Sequence, residues 1–220
     1  MKKTFIHQPD FLPWIGFFEK LKLSNLFIIL DDVQFLRRGW HHRDKIKIHD
    51  NWMWLTVPIK KNKFEAMIKD IKIDYSYNWI DKHLKTLSFY YNKADFFNVH
   101  FSEISKIYNK KRKFLIDLNT DIIFYITKIF KLKFDYILSS SLNVETSGKN
   151  RIIELLKKTD SKLYITGKPS LDYLDINVFK KEEIDIYIHE YRMKNYKQLN
   201  GKFIDKLSVI DFIMNSNENI

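Results

Sequence analysis

The segment that most limits the possible folds is Leu26–Leu30, five consecutive apolar residues that end at the acidic pair Asp31-Asp32. A strand that is buried on both faces has this continuous apolar pattern, which is typical of parallel sheets in α/β proteins. Thr4–Ile6 is a second short apolar strand, and apolar residues recur at helical spacing over Ile15–Lys22. Strand, turn, helix and strand therefore predict a compact βαβ unit at the start of the chain.

The rest of the chain changes character twice. Residues 33–58 form a polar, cationic stretch that ends in an apolar strand, and residues 79–132 have mostly helical spacing. Strands and helices then alternate: Tyr136–Ser139, Asn150–Lys158, Leu163–Thr166, Leu174–Lys181 and Ile186–His189. We therefore predict an α/β fold with a mostly parallel, Rossmann-like sheet flanked by helices and a helical insertion in the middle. We expect one domain over 1–220, with a helical subdomain at about 79–132.

Composition excludes several classes of protein. There is no cysteine, so a disulfide framework, a cysteine-based zinc site and a cysteine nucleophile are impossible. Residues 1–6 begin like a signal peptide, but His7-Gln8-Pro9 interrupts the apolar run at once. No apolar stretch approaches the roughly 20 residues of a membrane-spanning helix. We therefore expect a cytoplasmic location.

The formal net charge of +11 allows two interpretations. Clustered Lys and Arg bind nucleic-acid phosphates by releasing counterions. Alternatively, abundant Lys, Ile and Asn with only 5 Gly and 4 Pro reflect AT-rich coding. We favour a small anionic substrate as the partner over nucleic acid, and the charge does not indicate an oligomeric state.

His7 is the first candidate for chemistry because it follows a strand directly and precedes a proline turn. Its reference pKa near ~6.5 suits a general base at neutral pH. The alternative is that His7 only forms hydrogen bonds within the turn. Trp14 begins the next helix after Pro13 and is either a stacking wall or a core residue.

Asp31 and Asp32 lie at the carboxyl end of the second predicted strand, where ligands of open α/β sheets bind. Adjacent side chains of extended backbone point to opposite faces. We therefore expect one aspartate to be catalytic or ligand-binding and the other to be structural. A magnesium pair and a solvated strand end are alternatives, and we predict no metal site.

The densest cationic cluster is the segment from Arg37 to Lys45. Arg38, Arg43 and Lys45 suit phosphate or carboxylate groups, and Trp40 between them suits a base or sugar face. A single-stranded nucleic-acid platform uses the same residue types. Such a platform needs several spaced aromatic residues, whereas this cluster lies in one loop.

Two later segments follow predicted strands. Lys149 and Arg151 stand at the start of a helix that could hold an anion, although the segment lacks the full phosphate-loop spacing. Helix capping by Ser147 or Asn150 is the alternative. Gly167 ends the strand Leu163–Thr166, where a small residue allows a ligand to approach or simply makes a turn.

The segments His7–Gly16 and Leu30–Phe35 resemble the WbqC-like protein family of bacterial polysaccharide gene clusters. The resemblance covers nearly the whole chain. It departs at Gly167-Lys168-Pro169, where the family is richer in glycine, and at Met193-Lys194, which replaces His-Pro. It continues through Arg38-Gly39-Trp40, Arg43, Lys45-Ile46-Lys47, Trp54–Pro58, Lys82–Thr86, Tyr173-Leu174, Gly201-x-Phe203 and Leu207–Asp211.

The resemblance implies a role in O-antigen or related lipopolysaccharide biosynthesis, with transfer of an amino acid such as glycine onto an amino sugar. Lys82, His83 and Tyr173 lie in the matching segments and become candidate substrate-binding residues. The patterns identify no cofactor.

The leading hypothesis is an acyl or aminoacyl transferase acting on a nucleotide-linked amino sugar. His7 would be the general base, and Asp31 or Asp32 would orient it or a substrate hydroxyl. Arg38, Arg43 and Lys45 would neutralise the diphosphate, while Gln8, Gln34 and Trp40 would hold the sugar or base. A nucleotidyl-transfer enzyme and a non-enzymatic module that binds nucleic acid or polysaccharide complexes are the alternatives.

Overall fold

The computed structural model of the protein describes residues 1–172, 174–192 and 195–220, apart from the side chains of residues 171 and 172. Tyr173 and the pair Met193-Lys194, which the family resemblance singled out, lie outside the described residues. The chain divides into two units, each assembled from segments that are distant in sequence. Unit 1 comprises Met1–Gln8, Gly16–Asp32 and Lys131–Arg192, and unit 2 comprises Pro9–Ile15, Val33–Phe130 and Met193–Ile220.

Unit 1 is built on five strands: β1 (Lys3–His7), β2 (Leu26–Ile29), β5 (Asp135–Leu138), β6 (Leu163–Gly167) and β7 (Asp185–His189). They form one sheet in the order β5-β2-β1-β6-β7, and every pair of neighbours is parallel. The predicted α/β fold with a mostly parallel sheet is therefore confirmed.

Three helices cover this sheet: α1 (Ile15–Lys22), α5 (Gly148–Lys158) and α6 (Ile176–Lys181). Side chains alternate between the two faces of a strand. Phe5 and Phe27 lie on one face, where both contact Phe17 of α1 at ring distances of 5.2 and 5.7 Å. Ile6 and Ile28 lie on the other face and share a buried core with residues of α5 and α6. Burial on both faces explains why β1 and β2 read as continuous apolar runs.

The strand order contains one reversal, and it lies between β1 and β6. From β1 the chain continues outward to β2 and then β5, and it later returns to the opposite side of β1 for β6 and β7. Ligands of open α/β sheets bind beyond the carboxyl ends of the strands at such a reversal. The topology therefore directs attention to His7 at the end of β1 and Gly167 at the end of β6.

Unit 2 contains an antiparallel hairpin, β3 (Arg43–Ile48) and β4 (Asn51–Thr56), and the helices α2 (Trp79–Tyr91), α3 (Phe97–Asn109), α4 (Leu115–Ile129) and α7 (Val209–Asn215). The predicted central helical stretch is confirmed by α2, α3 and α4. The prediction that the cationic stretch is a loop followed by one strand is wrong, because Arg43 begins β3. The organisation as one domain stays a prediction.

A buried carboxylate organises the end of unit 2. Asp211, at the start of α7, accepts hydrogen bonds from the hydroxyls of Tyr91 at 2.8 Å and Tyr196 at 2.6 Å and from Gln198 Nε2 at 2.8 Å. Burial raises the pKa of Asp211, and these donors and Lys47 only partly oppose the rise. None of the helices in the described part of the chain is long and apolar enough to cross a membrane.

Candidate functional site

The carboxyl edge of the unit 1 sheet collects polar side chains from four of the five strands and a glycine from the fifth. His7 ends β1, Asp31 and Asp32 follow β2, and Ser139 follows β5. Gly167 and His189 end β6 and β7. Because all five strands are parallel, these positions lie along one edge of the sheet.

His7 is held in one tautomer by its own turn. Its ring Nδ1 lies 2.9 Å from the backbone carbonyl oxygen of Gln8. A carbonyl oxygen only accepts hydrogen bonds, so Nδ1 carries a proton, and in the neutral ring the lone pair is on Nε2. The ring is half-buried and meets the ring of Phe17 edge-on at 5.2 Å. The neutral form of this tautomer, with its lone pair on Nε2, is the form that a general base requires.

Asp31 and Asp32 both contact Ser139, which corrects the expected divergence of the two carboxylates. Asp31 is 2% exposed and accepts from the hydroxyls of Ser139 at 3.1 Å and Ser140 at 2.6 Å and from the Ser140 amide at 2.9 Å. Asp32 accepts a short hydrogen bond from the same Ser139 hydroxyl. The strand has ended at Ile29, so the alternation of extended backbone no longer applies to this pair. Both aspartates therefore fasten the segment after β5.

Asp32 is also paired with Arg151 of α5. Arg151 Nη2 lies 2.6 Å from Asp32 Oδ1, and the two side chains are 11% and 12% exposed. Burial disfavours the charged form of Asp32, but the hydrogen bond from Ser139 and the bond and charge of Arg151 outweigh it, so the pKa is lowered. Two candidates from distant parts of the sequence are thus brought together as an ion pair.

The start of α5 differs in detail from the prediction. The helix begins at Gly148 rather than Asn150, and its N-cap Ser147 makes no capping hydrogen bond through its side chain. Lys149 is 41% exposed and lies 3.7 Å from Asp175. Capping by the Ser147 side chain is therefore wrong, and the first turn keeps an exposed lysine.

The end of β6 is shaped by small and basic residues. The Ser170 hydroxyl donates to the carbonyl of Gly167 at 2.7 Å and forms a short hydrogen bond with Thr166. A Cβ on Gly167 would lie 3.6 Å from the ammonium of Lys20. No sequence pattern singled out Lys20, because it lies within α1 rather than after a strand.

His189 at the end of β7 is a further residue that the sequence did not single out. Its Nε2 lies 2.7 Å from Glu19 of α1, and each side chain is 16% exposed. Among the described residues, no group of three or more His, Asp or Glu side chains is arranged to hold a metal ion.

The remaining candidates lie in unit 2. Trp14 forms an isolated antiparallel bridge with Ser208, and Gln34 donates to the carbonyl of Phe64 at 3.1 Å. Lys82 is exposed on α2. Unit 1 therefore holds His7, Gln8, Asp31, Asp32, Lys149, Arg151 and Gly167, and unit 2 holds Trp14, Gln34, Arg38, Trp40, Arg43, Lys45, Lys82 and His83.

His83 is buried, with 5% of its surface exposed. Its Nε2 donates to the carbonyl of Thr56 at 3.1 Å, and its ring packs 5.2 Å from Trp79 and 6.0 Å from Tyr108. Burial lowers the pKa of His83 to about 4, and the carbonyl contact opposes this only in part. The ring is therefore neutral at physiological pH.

A second histidine of unit 2 is oriented by a carboxylate. His41 is 2% exposed, and its Nδ1 lies 3.1 Å from Asp10. The side-chain amide of the buried Asn119 donates to the carbonyls of Pro9 and His41, both at 2.7 Å. These contacts fix the turn that begins at Pro9 against the end of the basic loop.

The hairpin carries a cluster of cations and tryptophans. Lys45 pairs directly with Trp54 across the two strands, and its ammonium lies 4.3 Å from the ring centre of Trp52. The guanidinium of Arg43 lies 4.3 Å from the ring centre of Trp54. Arg38 is exposed, and its carbonyl accepts from Arg43 at 2.7 Å. Trp52 and Trp54 were not among the predicted site residues. They could have been recognised, because each pair, Arg43 with Lys45 and Trp52 with Trp54, has the two-residue spacing of side chains on one face of a strand.

The open parallel sheet with polar side chains along its carboxyl edge defines a doubly wound α/β protein, a class that binds small ligands at this edge. The chain belongs to the WbqC-like protein family, whose model matches residues 8–220. It is similar to an uncharacterized protein of Mycobacterium tuberculosis, with 29% identity over 222 residues, 98% of this chain and 94% of the relative. No solved structure matches the chain.

Proposed function

We propose that the protein is a transferase of surface-polysaccharide biosynthesis that moves an acyl or aminoacyl group onto a nucleotide-linked amino sugar. Membership of the WbqC-like family supports the biosynthetic role, because the family resemblance implies O-antigen synthesis. The observation that carries the proposal is His7, a histidine whose Nδ1 is bound to its own turn and which lies beside the strand-order reversal between β1 and β6. A substrate bound at that reversal would lie next to His7.

The proposed chemistry is a single acyl exchange. The amine nitrogen of the sugar attacks the carbonyl carbon of an activated ester or thioester, and a nitrogen–carbon bond forms. The bond from that carbon to the leaving group breaks. His7 Nε2 accepts the proton lost by the amine and returns it to the leaving group, so the balance needs no further reactant.

The neighbouring residues have proposed roles that follow from their contacts. Asp31 and Asp32 are positioning residues, because they fasten the segment at Ser139 rather than hydrogen-bonding to His7 within the described structure. Gly167 leaves room for the substrate, and the nearby ammonium of Lys20 adds positive charge. Lys149 adds a further exposed cation at the start of α5.

The test is acyl transfer measured by mass spectrometry. The purified protein is incubated with UDP-glucosamine as the amine acceptor and with glycyl-tRNA, an activated ester, or a glycyl thioester as the donor. We expect the acceptor to gain one glycyl group, and His7→Gln to lower turnover at least ~100-fold. The matched control is His49→Asn, because His49 is exposed in the hairpin turn and asparagine tolerates its φ of 47°.

Two results would contradict the proposal. Unchanged turnover in His7→Gln would show that His7 is not the base. Release of pyrophosphate from a nucleoside triphosphate, with no glycyl transfer to the amine, would replace the acyl transferase by a nucleotidyl-transfer enzyme.

A further inference from the structure

One face of the hairpin in unit 2 is a compact aromatic and cationic surface. Alternation places Arg43 and Lys45 of β3 on the same face as Trp52 and Trp54 of β4, with Lys45 directly opposite Trp54. Trp40, just before β3, packs 5.3 Å from Trp54 and joins this face. We call these five residues the tryptophan platform.

The three indole rings form one continuous patch. Trp54 lies between the others, 5.3 Å from Trp40 and 5.5 Å from Trp52 between ring centres. The ammonium of Lys45 lies 4.3, 5.4 and 5.6 Å from the ring centres of Trp52, Trp54 and Trp40. The rings are tilted, with interplanar angles of 51° between Trp40 and Trp54 and 81° between Trp52 and Trp54. The three rings therefore surround a single cation, and each offers its own face to a planar ligand.

Two of the rings are open to solvent. Trp40 is 45% exposed and Trp52 is 38% exposed, whereas Trp79 in the same unit is 4% exposed. Tryptophan gains more from burial than almost any other side chain, so two adjacent exposed indoles mark a surface that meets a ligand. The platform has the aromatic surface for stacking.

The platform is also positively charged. No acidic side chain among the described residues forms an ion pair with Arg43 or Lys45. Asp44 lies between them in sequence, but it is 2% exposed and belongs to the opposite face of the strand. Burial raises the pKa of Asp44 well above its usual range, which favours its neutral form. A phosphate would thus find two cations that are not neutralised by neighbouring carboxylates.

We propose that the tryptophan platform binds a nucleotide, with its base stacked on the exposed ring of Trp52 and its phosphate beside Lys45 and Arg43. Stacking on indole accepts any base, since every base has a π face. A cation over an exposed indole is held weakly, so a phosphate can draw the Lys45 ammonium away from Trp52. The close spacing of the rings favours one base over the successive bases of a nucleic acid.

The choice of a nucleotide rests on the proposed function, in which the substrate is nucleotide-linked. Binding is measured without turnover, so the two proposals can fail separately. Glycyl transfer without nucleotide binding to the platform would refute the platform alone, and nucleotide binding without glycyl transfer would refute the transferase alone.

The experiment is titration of the full chain with UMP and AMP, followed by tryptophan fluorescence and checked by calorimetry. Ribose 5-phosphate and inorganic phosphate supply the charge without a base. We expect saturable quenching by the nucleotides, about tenfold weaker binding in Trp52→Ala, and weaker, less salt-dependent binding in Lys45→Gln. The controls Tyr77→Ala and Lys61→Gln remove an exposed aromatic and an exposed cation that do not belong to the platform.

Three results would overturn the proposal. Equal affinity for ribose 5-phosphate and UMP would show that no base stacks on the platform. Unchanged affinity in both Trp52→Ala and Lys45→Gln, with unchanged circular dichroism, would place any binding elsewhere. Binding of a short oligothymidylate more than about tenfold tighter than UMP would identify single-stranded nucleic acid as the ligand.

Discussion

The buried ring of His83 makes the free energy of unfolding depend on pH, and one substitution can remove this dependence. The unfolded chain holds this histidine at a pKa of 6.5, whereas burial lowers the folded value to about 4. As the pH falls, the unfolded chain therefore takes up the proton first. The stability that comes from the neutral ring is complete above pH 6.5 and is lost between about pH 6.5 and pH 4.

The magnitude follows from the two pKa values. Each unit of difference corresponds to ~1.4 kcal/mol, so lowering the pH from 8 to 5 costs the folded state about 2 kcal/mol at this residue alone. In His83→Gln the amide nitrogen can replace Nε2 as the donor to the carbonyl of Thr56, but nothing titrates. The free energy of unfolding of this variant should therefore fall less on acidification, by about 2 kcal/mol.

The assay is urea unfolding followed by far-ultraviolet circular dichroism at pH 8, 6.5 and 5. Every other titrating group is common to both proteins, so the difference between the two stability curves isolates His83. Parallel curves would refute the reasoning, because they would mean that the folded and unfolded chains bind the proton of His83 equally.

Two further predictions concern buried carboxylates. Replacing Arg151 by Met removes the partner that opposes the effect of burial on Asp32, so the pKa of Asp32 should rise. Carboxyl ¹³C NMR titration measures this pKa, and an unchanged value would exclude the pairing. Asp211→Ala leaves the hydroxyls of Tyr91 and Tyr196 without their acceptor and should lower the free energy of unfolding by ~3 kcal/mol in urea titrations. A loss within ~0.5 kcal/mol, typical of an exposed aspartate, would contradict the network.

The sheet was predicted better than the site. Helices and strands follow from local sequence patterns, whereas the site depends on contacts between residues that are distant in sequence. α1 was predicted at Ile15–Lys22, where the helical period of its apolar residues is local information. Asp44 and Ile46 lie on the buried face of β3. Arg43 and Lys45 on the other face made the segment look polar throughout, so it was taken as a loop. The two-residue turn of this hairpin requires a positive φ at His49, and histidine is an unusual residue there, so the sequence carried no hairpin signal.

The candidate site was predicted residue by residue and not as a set of contacts. His7, Asp31 and Asp32 were selected because they follow apolar runs. The pairing of Asp32 with Arg151 depends on the order of strands in the sheet, which the chain does not encode locally. Ser139 and Ser140 carried no sequence signal, although they are the side chains that hold both aspartates.

The order of strands also determines when each strand of the sheet can pair during synthesis of the protein. β1 and β2 emerge before the other strands of the sheet, but the next strand beside β2 is β5, which follows after the whole of residues 30–134. The other neighbour of β1 is β6, which leaves the ribosome later still. Pairing between such distant segments is slow, and a growing chain exposes unpaired strand edges while it waits. The central strand β1 is therefore synthesised early but is paired on both sides only after β6 has been made. In this interval a nascent chain most needs a chaperone.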